Sequence, residues 1–166
     1  IIFYTIAFCF KLQAIFVAPF LLLLLMNKRV AVKKIWVFPV VYIIAMLPAV
    51  IAGDNLLRII GIYIGQTSTY TSGLAYSTAT IYSFLNGVNI PELASAGVMT
   101  AGGASFVLMF YFYSKKYKVT DEFIIAGTAL FSLIVPFLLP YMHERYYYGA
   151  VIFTAILAFI NKKNLW

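Results

Sequence analysis

The chain alternates long apolar runs with short polar ones, and the run lengths set the first reading. A helix needs about 20 apolar residues to cross ~30 Å of hydrocarbon, within a range of about 17–25. Residues 12–26, 35–52, 94–114, 123–139 and 147–160 are five such candidates. The first and last are short, so they tilt, sit in thinned bilayer or lean on neighbouring protein. Residues 1–10 are apolar too. They read as the end of a further helix turning back at Lys11, with one long kinked helix as the alternative. Pro19, Pro39, Pro48, Pro136 and Pro140 lie within or at the ends of these runs, where neighbouring helices can satisfy the freed carbonyls.

The longest interruption is 53–93. It opens with Gly53-Asp54 and continues LLRIIGIYI (56–64), too short to span. Asp54 and Arg58 are four apart, which on a helix pairs them on one face. The stretch predicts a helix lying in the interface with its apolar side down. A polar run QTSTYTSG (66–73) follows, then an aromatic segment ending in the turn signal Asn86-Gly87.

Composition turns this pattern into a class. The 166 residues are 64% hydrophobic and only 10% charged, against roughly 25% charged in soluble domains. Such a chain cannot present a solvated surface all round. The expectation is one all-α integral membrane domain over residues 1–166, with about five transmembrane helices and an interfacial helix in a long extracytoplasmic loop. Its start in mid-hydrophobic run suggests the C-terminal part of a larger multi-spanning protein. The net charge of +7 does not point to nucleic acid, because nine of the twelve Lys and Arg fall in three clusters between apolar runs. These are Lys28, Arg29, Lys33, Lys34; then Lys115, Lys116, Lys118; then Lys162, Lys163. Putting them in the cytoplasm places 27–34, 115–122 and 161–166 inside, and the Lys11 turn, 53–93 and 140–146 outside. Cys9 is the one cysteine, which excludes an internal disulfide and a cysteine-based metal site.

Ionisable residues at membrane depth are candidate functional groups, since each costs roughly 2.5–3.5 kcal/mol at a helix centre. Three places on the outer side qualify: Lys11 with Gln13, the Asp54/Arg58 pair, and His143-Glu144-Arg145, followed by Tyr146, Tyr147 and Tyr148. Cations of this kind suit an anionic group such as a phosphate, Arg through a planar fork and Lys as a point charge. Glu144 beside His143 would fix its tautomer and keep it charged. Plainer roles exist for the others: Arg and Tyr anchor helices at the interface, Lys11 can snorkel, and Asp54–Arg58 can be a simple helix pair. His143 next to Glu144 anchors nothing well. One His and scattered carboxylates make a poor metal-ligand set.

Three stretches, FKLQAIFVAPFLLLLL (10–25), GDNLLRIIGIYIGQ (53–66) and LPYMHERYYYGA (139–150), resemble in order the C-terminal half of GT-C glycosyltransferases. The nearest likeness is to bacterial and archaeal mannosyltransferase-like proteins. More distantly the chain is similar to the glucosyltransferases of the asparagine-linked pathway. The resemblance implies an inverting enzyme that moves a sugar, a hexose such as mannose, from a polyprenyl-phosphate carrier to an extracytoplasmic acceptor, which could be a glycan, a lipid or a protein. It implies that Lys11, His143 and Arg145 face the donor phosphate, with Gln13, Glu144, Asp54 and Arg58 in support. The family's catalytic base is an upstream Asp, matched by none of Asp54, Glu92 and Glu144. The lipid-linked sugar is then substrate, and no cofactor or metal is implied. One departure stands out: relatives carry asparagines where LAYSTATIY (74–82) has Ser77 and Thr80. A transporter or flippase of lipid-linked or anionic substrates is the second class, and a structural membrane subunit the third.

Overall fold

The computed structural model describes residues 1–61, 73–85 and 90–160. The polar run 66–72, the turn Asn86-Gly87 and the tail carrying Lys162 and Lys163 lie outside the described residues, as does the second half of the expected interfacial helix. What is described is mostly helical, as expected, and divides into two compact units: Ile1–Ile15 with Val30–Thr71, and Phe16–Arg29 with Ser72–Trp166.

In the first unit, α1 (Ile2–Phe10) ends at Lys11, whose backbone is extended (φ −158°, ψ 128°). The helix therefore stops there instead of continuing as one long kinked rod. A 3-10 turn over Val32–Trp36 leads into α3 (Val37–Ile51). Phe8 packs on Phe38 and Tyr42 at ring separations of 5.3 and 6.0 Å, which joins α1 to α3. After α3 comes Gly53 at φ +98°, with Gly53 N–H on Val50 O and Asp54 N–H on Ala49 O. This double bond pattern satisfies the last carbonyls, and glycine takes the left-handed position at no cost in Cβ strain. Asn55 then caps the short helix α4 (Leu56–Ile60), accepting from the N–H groups of Leu57 and Arg58.

The second unit holds α2 (Ala18–Met26), α5 (Pro91–Ser114), α6 (Asp121–Leu138) and α7 (Tyr148–Ile160). The expected first span is split. Residues Leu12–Val17 are a 3-10 helix, and α2 begins only where Pro19, in its first turn, presets φ and needs no N–H partner. Thr120 caps α6 by accepting from Phe123 N–H, and Asp121 and Glu122 in the first turn complement the helix dipole. Phe20 of α2 is buried against Phe123 and Phe131 of α6, with ring centroids 5.9 and 5.8 Å apart. A side chain at Gly127 would run into the Phe20 ring, so this glycine sets how closely α2 and α6 approach.

Among the described residues, three helical segments are long and apolar enough to cross a membrane: Val32–Ile51, Pro91–Ser114 and Asp121–Leu138. Leu12–Met26 is apolar but shorter, and α7 has 13 residues. Unit two has two distinct ends. At one, the C-termini of α2 and α5 meet the start of α6, and the Arg29 guanidinium donates to the Val119 carbonyl. The loops at 27–29 and 115–120 therefore share an end of this unit. The other end, about 27 Å away along the 18 residues of α6, holds His143.

Candidate functional site

The site begins where α6 stops. Leu139 is extended (ψ 141°), Pro140 has no N–H to continue the helix, and Tyr141 takes a left-handed φ of 62°. This sharp turn delivers the two-residue strand β2 (Met142–His143), after which Glu144–Tyr147 form a 3-10 turn leading into α7. The expected fifth span therefore starts one residue late, because Tyr147 belongs to the turn.

Residues 73–85 lie across this corner as a strap. Strand β1 (Ala75–Tyr76) pairs in parallel with β2, matching Ala75 to Met142 and Tyr76 to His143. Tyr141 N–H donates to Leu74 O at 2.7 Å, and Ile81 N–H donates to Phe137 O at 3.2 Å. Tyr147 Oη donates to Ala79 O at 2.8 Å, and Tyr82 Oη to Leu138 O at 3.2 Å. Within the strap, Thr80 Oγ1 accepts from Tyr82 N–H, and Ser83 Oγ accepts from Thr80 N–H. Leu74, Ala75, Tyr82 and Ala94 form its buried core. Gly97 of α5 makes room for Tyr82, since a Cβ there would land on the tyrosine hydroxyl and 3.4 Å from Pro140.

His143 sits under this strap. Its ring stacks on Tyr76 at 4.7 Å and 16°, and meets Tyr146 edge-on at 5.6 Å and 80°. Its Nε2 is shielded from solvent. Burial pushes the imidazole below its ordinary value of 6.5; the Arg145 charge adds to this and the Glu144 charge opposes it. The expectation that Glu144 keeps His143 positive is thus corrected: desolvation outweighs the neighbouring carboxylate, and the resting ring is biased towards neutral. Glu144 and Arg145 are exposed. The Arg145 guanidinium lies 5.9 Å from the Tyr146 ring centroid, within cation–π range. Tyr146 is braced in turn by Phe16 at 6.3 Å.

The remaining expected residues fall in the first unit. Lys11 is exposed and Gln13 half-buried. Asp54 and Arg58 do pair, at 2.7 and 2.9 Å, although Asp54 lies just before the helix cap and not within the helix. The pair lowers the Asp54 carboxyl below its usual range, chiefly through the Arg58 hydrogen bond. It is a solvated pair of the kind that adds little.

Sequence reading missed Tyr76, the residue in closest ring contact with His143. It noted Ser77 and Thr80 together as a departure at which acceptor or sugar recognition could differ. Thr80 is buried and its hydroxyl is used inside the strap, so it is a structural residue. Ser77 is exposed at φ 48°, a conformation that asparagine adopts more readily than serine. Among the described residues no group of three or more His, Cys, Asp or Glu could hold a metal ion. Against known proteins, no family model, no curated protein and no solved structure matches the chain.

Proposed function

We propose that the chain serves a membrane glycosyltransferase by holding the phosphate of a polyprenyl-linked sugar donor at the His143 end of its second unit. The observation that carries this reading is the strap. It fastens a two-residue strand so that His143 is stacked and shielded, while Arg145, two residues on, stays open to a ligand. Fixed donors beside an open cation suit an anion whose charge grows as a bond breaks. In this reading the acceptor hydroxyl oxygen attacks the anomeric carbon as the sugar–phosphate bond breaks. The hydroxyl proton goes to a carboxylate, and the lipid phosphate leaves with the electron pair. Arg145 takes the developing charge by paired N–H donors. His143, biased to neutral at rest, donates one N–H and is drawn towards its protonated form as the leaving lipid phosphate gains its second negative charge, because a nearby anion favours the charged ring.

The same reading takes α2 with its 3-10 lead, α3, α5, α6 and α7 as five spans, with the His143 end extracytoplasmic. The bodies of α3, α5, α6 and α7 carry no Asp, Glu, Lys, Arg or His beyond their first turns. A transporter would need such groups near mid-membrane, which favours a site at the mouth.

The test uses the chain in lipid nanodiscs and a synthetic polyprenyl-phosphate mannose. Arg145→Ala is expected to weaken donor binding about tenfold or more, the loss of hydrogen bonds to a charged group. In a transfer assay with the same donor, His143→Ala is expected to slow transfer roughly 10²–10³-fold, with His143→Gln retaining more. A folded His143→Ala protein with normal turnover would show the assignment to be wrong.

A further inference from the structure

The basic end of the second unit has a feature that the transferase reading does not use. A cavity of about 350 Å³ opens between the ends of α2 and α5, lined by Met26, Asn27, Lys28, Tyr113, Ser114 and Lys116. Both lysines are strained: Lys28 has φ 57° and Lys116 φ 51°. Each occupies the same structural position, the first residue past a helix cap, which is usually glycine. At α2, Lys28 N–H bonds to Leu25 O and Arg29 N–H to Leu24 O; at α5, Lys116 N–H bonds to Tyr113 O.

The end of α3 supplies an internal comparison. There the same turn is made with Gly53. The chain thus uses glycine where only a turn is needed, and lysine at both helix ends that face one cavity. Outliers of this kind point to function when the surrounding structure holds them. Several of the last carbonyls are already engaged by other donors. Leu23 O is taken by Asn27 through both its N–H and its side-chain amide, and Leu24, Leu25, Tyr111 and Tyr113 oxygens accept from backbone. Among the described residues, neither ammonium is in an ion pair. Arg29, Lys115 and Lys118 add positive charge at this end, against Asp121 and Glu122 in the first turn of α6.

An apolar track leads into the cavity. Phe106, Phe110 and Tyr113 follow one another at helical spacing on α5 and are about half exposed (53, 53 and 41%). Tyr113 ends the track and lines the cavity. We infer that this is a binding site for an anionic phospholipid, with the phosphate between Lys28 and Lys116 and an acyl chain along Phe106, Phe110 and Tyr113. The site lies at the opposite end of the unit from His143 and does not depend on the transferase reading.

The decisive variant is Lys28→Gly with Lys116→Gly. Glycine relieves both left-handed positions, so the helix ends keep their turns and thermal stability is expected to hold or rise. The probe is spin-labelled phosphatidylglycerol, compared with labelled phosphatidylcholine, bound to the chain in nanodiscs. Selectivity for the anionic lipid is expected to fall roughly tenfold or more in the double variant, since one lysine near an anionic surface is worth about fivefold. Lys33→Ser with Lys34→Ser removes equal charge elsewhere and is expected to change it little. Unchanged selectivity in the glycine variant overturns the site, and an equal loss in the serine variant reduces it to general charge. Millimolar inorganic phosphate is expected to leave the lipid bound, relative to chloride at equal ionic strength. Full displacement would assign the cavity to soluble phosphate and overturn the lipid.

Discussion

The two ends of the second unit both gather charge, yet they hold it in opposite ways. At the basic end, Lys28 and Lys116 stand exposed on turns closed by their own backbone hydrogen bonds. At the other end, His143 is drawn under a strap, stacked on Tyr76 and shifted away from its ordinary titration. Exposed ammonium groups give attraction that water and salt screen. A shielded imidazole in a fastened loop gives a donor of set direction, at the cost of desolvation. The difference teaches that the number of cations in a cluster says less than what the backbone beside them is doing.

The largest effect should strike both ends together. Phe20 joins α2 to α6 between them, so Phe20→Ala should cost about 3 kcal/mol. That is the low end for a buried phenylalanine, because lipid competes less than water to separate apolar surfaces. Hydrogen exchange should quicken at 113–120 and 139–147 alike. If only one end loosened, the two would not share a core.

Gly97→Ala should separate them. The new methyl meets the Tyr82 hydroxyl beside Pro140, an overpacking of about 2 kcal/mol. Exchange should rise in 73–85 and 139–147 while 113–120 stays as it was. Equal loosening of 113–120 would break the comparison. Smaller still is Tyr147→Phe, which removes the hydrogen bond to Ala79 O. It should raise opening of the strap by about 1 kcal/mol. Least of all is Asp54→Asn in the first unit, where the ion pair lies at the surface with its Arg58 largely exposed; no change in melting temperature is expected.

Much of this was legible from local rules. The apolar runs expected at 94–114 and 123–139 correspond to α5 and α6, whose first turns reach back to Pro91 and Asp121, and the loop expected to open at Gly53 follows the end of α3. The turn at Lys11 was legible too, since charge interrupts the apolar run. The split of the first span was not, because Leu12–Val17 is as apolar as α2 and hydropathy does not distinguish 3-10 from α geometry. The strap was hidden for a different reason. A two-residue ladder has no periodicity, and its partners, 75–76 and 142–143, are joined only by tertiary folding. The left-handed lysines were hidden likewise, because propensity assigns that conformation to glycine. His143 itself was found from its neighbours in sequence, but its charge state was misread because burial is not written in those neighbours.

The most direct measurement is the titration of His143, the only histidine in the chain. Selective labelling of histidine with ¹³C or ¹⁵N gives one ring signal by NMR in nanodiscs. The account predicts a midpoint below 6.5, moving up towards the ordinary value in Tyr76→Ala and rising when donor phosphate binds. With the folded value lowered, the unfolded chain binds more protons below about 6.5, so strap stability should hold above that pH and decline as pH falls through it. A midpoint at or above 6.5 in the unliganded protein, indifferent to Tyr76, would contradict the shielded site.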